Sequence, residues 1–180
     1  MATQAQTTDV RYPIGNATLE TGLSEQRRRE LIAQIEECPA KLRAAVSGLS
    51  PQQLATPYRE GGWTVAQVTH HLFDSHVNAY IRFKLALTED EPTIKPYDEK
   101  LWAELEDSRS VPIEVSLGLM DNLHQRWVVL LRSMSAAGFR RKLRHPERGV
   151  MDLDEMLSLY AWHSRHHVAH ITSLRQRMGW

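Results

Sequence analysis

Nine histidines occur in the 180-residue chain, and four of them fall in the run His163-Ser-Arg-His-His-Val-Ala-His170. An imidazole ligates metal through either ring nitrogen and can carry a proton near neutrality. Residues four apart share one face of a helix. The run therefore offers two pairs, His163 with His167 and His166 with His170. Spacing does not choose between them, but the apolar row does. Met156, Tyr160, Ile171 and Leu174 continue the line through His163 and His167, so those two rings are expected to point inward. His166 lies about 100° round the helix from His167 and is expected to flank the site or face outward. His170 falls at the border of the inward stripe.

Two buried imidazoles need partners, because a buried polar group without one costs about 1–3 kcal/mol. One divalent metal ion satisfies both. Catalytic zinc-type sites often use three protein ligands and keep a position open. A third ligand is expected from another helix, and the segment from Thr64 to Leu87 offers His70, His71 and His76. Its inward stripe of Val65, Val68, Leu72 and Ser75 passes through His71, with His70 beside it. The expected ligands are therefore His71, His163 and His167. No His-Glu-x-x-His is present, and a di-iron bundle would want two Glu-x-x-His motifs. The nearest match is a single Asp121-x-x-His124. Haem ligation competes for the same histidines. Imidazole accepts zinc, nickel and other ions, so the pattern does not name the metal.

Four helical patterns must position these residues. The first begins at Ser24 and carries Leu31, Ile32, Ile35, Leu42, Ala45 and Val46. Pro39 should kink or interrupt it by removing a backbone donor. Thr64-Val-Ala-Gln67 has capping-box spacing and opens a second helix reaching about Leu87. A loop with two prolines follows, then a short helix around Lys100 to Glu106. Pro112 suits the first turn of a third long helix, which ends near Met134. Gly138 to Met151 reads as a basic linker, and its run Arg140-Arg-Lys-Leu-Arg144 as a solvated loop. Asp152-Leu-Asp-Glu155 caps a fourth long helix running to about Met178. No convincing strand pair is evident. The reading is all-α, a four-helix bundle over residues 24–180 preceded by an arm over 1–23.

Composition narrows the function. Lys plus Arg and Asp plus Glu both number 22, so the chain lacks the electrostatic footprint of a nucleic-acid binder. No apolar run approaches the roughly 20 residues of a membrane span. The first ten residues carry no apolar signal core, so a cytoplasmic location is expected. The single cysteine, Cys38, allows no internal disulfide and reads as a buried apolar residue rather than a nucleophile.

Several motifs in order resemble one family. Gly61-Gly-Trp-Thr-Val-Ala-Gln-Val-Thr-His-His-Leu-Phe-Asp-Ser-His76 is similar to the second helix of DinB-like proteins, where a histidine follows the tryptophan by eight residues. A fuller resemblance is to the YfiT branch. It is carried by Arg11-Tyr-Pro-Ile-Gly15, Pro57-Tyr-Arg-Glu-Gly-Gly-Trp63, Ile81 to Asp90, Pro92 to Glu99, His124-Gln-Arg-Trp127 and Tyr160 to Ile171. It implies a DinB-like four-helix bundle, usually a homodimer, holding zinc or nickel on His71, His163 and His167. The doubled histidines leave His70, His166 and His170 as the one-residue alternatives. The resemblance further implies either a metal-dependent hydrolase or an S-transferase for a low-molecular-weight thiol such as bacillithiol.

A three-histidine site with an open position suits both reactions. It lowers the pKa of a bound water or holds a thiol as the reactive thiolate. Thiol transfer to a small-molecule substrate is expected first, on the resemblance alone, with hydrolysis second. A non-catalytic metal-binding, haem-binding or sensor bundle is the reading of a different class. Arg82, Lys95, Tyr97, Arg126 and Trp127 belong to the shared motifs and are candidates to line the pocket. An arginine fork suits a carboxylate. Asp74, three residues after His71, is a candidate acceptor behind a ligand.

Overall fold

The computed structural model describes residues 9–180, so the first eight residues of the expected arm lie outside the described residues. From Asp9 to Leu23 the chain forms no helix or strand. Helix α1 (Glu25–Glu36) starts where the Ser24 side chain accepts from the Arg27 N–H. Pro39 breaks it: helix α2 (Cys38–Val46) begins immediately after Glu37. The physical reason is that Pro39 has no N–H to give the Ile35 carbonyl four residues earlier. Helix α3 (Pro51–Leu54) is a single turn. Helix α4 (Val65–Thr88) opens on the expected capping box of Thr64 and Gln67.

The short helix expected around Lys100 to Glu106 is replaced by two single turns, α5 (Glu99–Trp102) and α6 (Asp107–Ser110). Helix α7 (Ile113–Ser133) has Pro112 at its N-cap, one residue before the first turn. Helix α9 (Leu153–Met178) is opened by Asp152 and Glu155, each bonding the other's backbone N–H.

The segment read as a basic linker is ordered differently. It contains a helical turn α8 (Ala136–Phe139) and a hairpin of β1 (Lys142–His145) with β2 (Gly149–Asp152). The strands pair antiparallel, from Lys142 opposite Asp152 to His145 opposite Gly149. Alternation explains it. Leu143 and Met151 enter the core, while Lys142 and Arg144 stay outside. Charge on the outer face concealed a two-residue period.

Helices α1 and α2 pack against α7 and α9, and α4 packs against the same two. The broken first helix and α4 therefore face each other across the bundle. A buried ion pair ties α1 to α9, with Arg28 Nε 2.7 Å from Asp154 Oδ1 and Nη2 2.7 Å from Oδ2.

The apolar core is divided in two. One part gathers Ile35, Phe83, Trp127, Leu131, Met156 and Tyr160. The other gathers Leu42, Val68, Leu72, Met120, Ile171 and Leu174. At the junction of these sets α4, α7 and α9 contribute buried histidines: His71 and His76, His124, and His166, His167 and His170 with the half-buried His163. A polar layer thus crosses the bundle between two apolar halves, at the level where Pro39 breaks the first helix.

Candidate metal centre

Three imidazoles converge in this layer. His71 comes from α4, and His163 and His167 come from successive turns of α9. One ring nitrogen from each lies within 4.8 Å of the other two. The His71 and His163 Nε2 atoms are 3.3 Å apart. Trp63 packs on the cluster, its ring 4.5 Å from that of His71 and 6.3 Å from that of His167. The cluster lies against a cavity of about 440 Å³ that opens to solvent. This is the size of an ordinary small-molecule pocket, about 300–1,000 Å³.

Burial sets the protonation state. Loss of hydration, then the nearby His170, pulls His71 down to about 4. His163 and His167 are pushed well below the ordinary histidine value by the same desolvation, reinforced by their histidine neighbours. Neutral imidazoles are what a divalent ion requires, and an ion would replace the contact between the His71 and His163 Nε2 atoms. Three such nitrogens within reach of one point, beside an open cavity, fit an ion that keeps a free coordination position.

The other histidines have separate partners. His70 Nδ1 is 2.8 Å from Ser116 Oγ, which directs it toward α7 and away from the cluster. His166 and His170 are 6% and 3% exposed. The outward option for His166 therefore does not hold. The helix is enclosed on that side by Tyr12 of the arm and by Trp162, whose ring stacks on His166 at 4.1 Å. His166 lines the cavity, and its Nδ1 has no protein partner among the described residues. His170 bridges the His167 ring and the Arg11 carbonyl.

Arg82 and Tyr97 reach the cavity wall. Arg82 is 8% exposed, lies 3.4 Å from the Tyr160 hydroxyl and 3.3 Å from the Lys95 carbonyl, and has no carboxylate partner among the described residues. Burial raises the Tyr97 hydroxyl, with Tyr160 reinforcing it. Lys95 contributes its backbone while its side chain is exposed. Arg126 is not part of the site: it is exposed, with its guanidinium 5.9 Å from the Tyr80 ring. Trp127 is core, fully buried. Asp74 makes no side-chain hydrogen bond to any of the three histidines. Its carboxyl is raised to about 6 by burial and by Asp107.

A second buried group, Cys38 with His76 and His124, also brings ligand-type atoms within 4.8 Å of one another. Burial raises the Cys38 thiol to about 12 in the metal-free protein. His76 Nδ1 and His124 Nε2 are 2.8 Å apart, a hydrogen bond that occupies both nitrogens. This group is therefore read as packing and hydrogen bonding. The sequence reading did not link His76 to His124. The stripe Leu117, Met120, His124, Trp127 and Leu131 of α7 signals that His124 enters the core, though not which side chain it meets there.

The sequence profile of the DinB superfamily matches residues 34–171. A protein of Bacillus mycoides (strain KBAB4) is 54% identical over 172 residues, covering 96% of this chain and 99% of its own. Its name assigns it provisionally to the metal-dependent hydrolases. A protein of Bacillus cereus (strain B4264), 54% identical over the same coverage, has a name of the same kind. Among solved structures, YfiT from Bacillus subtilis superposes with a TM-score of 0.93 at 50% identity, covering 96% of this chain and 99% of its own. It is described as a candidate metal-dependent hydrolase with an unusual four-helix bundle topology. TT2238, a four-helix bundle protein, superposes with a TM-score of 0.55 at 19% identity over 78% of this chain and shares the fold. Motif order, bundle architecture and sequence identity along nearly the whole chain agree, and the chain belongs to the DinB superfamily.

Proposed function

We propose that this protein is a metal-dependent enzyme that holds one divalent ion, zinc or nickel, on His71, His163 and His167. The observation that carries the reading is the convergence of three imidazole nitrogens beside an open cavity. When bound, the ion supplies Lewis-acid activation of an external nucleophile. The protein's own groups bind and orient. Arg59, Arg82 and Arg148, with Arg11 already paired to Asp9, line the cavity against Glu99 and Glu147, so the wall keeps a small cationic excess. Arg82 is the strongest anchor, because a buried guanidinium without a carboxylate gains most from one. The substrate or its co-substrate is therefore read as an acid-bearing small molecule.

The nucleophile is read as a low-molecular-weight thiol, on the family resemblance. Cys38, sealed in the core as a neutral thiol, takes no part. Hydrolysis is the second reading, supported by the names of the Bacillus relatives. One assay separates them: metal-loaded protein with a thiol and an electrophile, against ester and amide panels. Metal-dependent loss of free thiol without hydrolytic turnover supports transfer, and the reverse supports hydrolysis. Activity in neither, with metal bound, leaves the sensor reading standing.

The family likeness also supports a homodimer. Val115 and Leu119, one turn apart on α7, are 49% and 43% exposed and offer an apolar patch for such a contact. No helix among the described residues is long and apolar enough to cross a membrane, which is compatible with a cytoplasmic setting.

A further inference from the structure

Two chains of hydrogen-bonded histidines run from the candidate ligands of α9 to backbone carbonyls. In the first, His163 Nδ1 is 3.4 Å from His76 Nε2, His76 Nδ1 is 2.8 Å from His124 Nε2, and His124 Nδ1 is 2.7 Å from the Ile35 carbonyl oxygen. In the second, His167 Nδ1 is 3.3 Å from His170 Nδ1, and His170 Nε2 is 3.1 Å from the Arg11 carbonyl oxygen. A carbonyl oxygen only accepts, and a neutral imidazole has one donor and one acceptor nitrogen. The direction of each chain is therefore forced from its far end. His124 donates from Nδ1 to Ile35 and must accept at Nε2, so His76 donates from Nδ1 and accepts at Nε2. His163 then donates from Nδ1. By the same logic His170 donates from Nε2 to Arg11 and accepts at Nδ1, so His167 donates from Nδ1. Each chain leaves the terminal histidine with its lone pair on Nε2.

We propose that His76, His124 and His170 are positioning residues that hold His163 and His167 in the tautomer whose Nε2 lone pair is presented to the metal. Metal-bound histidines commonly donate their second nitrogen to a carboxylate or carbonyl. Here further histidines extend that connection to the backbone. The extension also gives roles to two sequence features. Pro39 stands four residues after Ile35 and has no N–H, which frees the Ile35 carbonyl from its helical partner. The Arg11-Tyr-Pro-Ile-Gly15 arm supplies the second carbonyl and is tied to α9 by the Trp162 Nε1–H donating to the Gly15 carbonyl at 3.2 Å.

The proposal rests on the metal reading for its purpose, but the tautomers can be tested without metal. The experiment is ¹⁵N-imidazole NMR on the metal-free full-length protein at neutral pH, with zinc affinity then measured by chelator competition. His163, His167, His76 and His124 are expected protonated on Nδ1, and His170 on Nε2. His76→Leu and His170→Leu are expected to weaken zinc binding roughly 10- to 100-fold. In His76→Gln the amide N–H faces His124 and its carbonyl oxygen accepts from His163, so affinity should be largely restored. Protonation of His163 or His167 on Nε2 in the metal-free wild type overturns the proposal. So does either Leu variant that folds and binds zinc as tightly as wild type. Should a Leu variant not fold, the wild-type tautomers decide. A wild type that binds no zinc while showing the expected tautomers rejects the metal reading and keeps the hydrogen-bond assignment.

Discussion

At the residue scale, the cavity separates a metal-holding face from an anion-holding one, and substitutions should separate them too. His163→Ala removes one of three converging nitrogens, and metal content of the untagged protein is expected to fall to background by elemental analysis. Retention of wild-type metal by that variant would refute the three-histidine centre. Arg82→Ala should leave metal content intact. Its expected effect is on substrate. A charge-assisted hydrogen bond is worth about 1.5–3 kcal/mol, so KM for an acid-bearing substrate should rise roughly 10- to 100-fold with kcat little changed. Arg82→Lys should recover only part of this, because an ammonium lacks the planar fork. An unchanged KM would remove Arg82 from the binding face.

At the element scale, the register of α9 against α1 is fixed by Arg28 and Asp154, and the two ligand-bearing turns depend on it. Asp154 is fully buried. Asp154→Asn leaves the Arg28 guanidinium without its counter-charge, which is expected to cost about 3–5 kcal/mol in urea unfolding. Replacing both partners by apolar residues of similar volume should cost much less. The elements themselves were largely legible in the sequence, because long amphipathic helices announce themselves through periodicity, caps and breakers. Thr64 with Gln67, Asp152 with Glu155, and Pro39 each marked a boundary the structure has. The β1–β2 hairpin was not legible. Its strands are four residues long, and Lys142 and Arg144 filled the outward positions with charge. The convergence of His71, His163 and His167 followed from their stripes, since helical faces are local properties. For His166 the sequence left flanking and outward positions open, and the choice rests on Tyr12, which covers it from the distant arm. The pairing of His76 with His124 joins separate helices, and no pattern within one helix specifies it.

At the scale of the whole molecule, a polar layer of neutral histidines between two apolar cores makes stability depend on pH. Burial lowers both His71 and His124 from 6.5 to about 4. The unfolded chain therefore binds more protons than the folded one between these values, and stability falls as pH drops through that window. Two such groups contribute losses on the order of 3 kcal/mol each. Asp74 works in the opposite sense, since burial raises it from 3.8 to about 6. Its contribution grows as pH falls through that range, but one carboxyl offsets only part of two histidines. Metal-free protein is thus expected to lose thermal stability steadily from about pH 6.5 downward. Zinc at 100 times its Kd should add about 2.7 kcal/mol near neutrality, and that increment should persist down to about pH 4, where His71 takes a proton in the folded protein, and be lost below it as protons compete for the same nitrogens. Melting curves across this range, with and without zinc, test both parts. A metal-free Tm that rises on acidification, or a zinc increment already lost near pH 6, would contradict a buried layer of neutral histidines holding the ion.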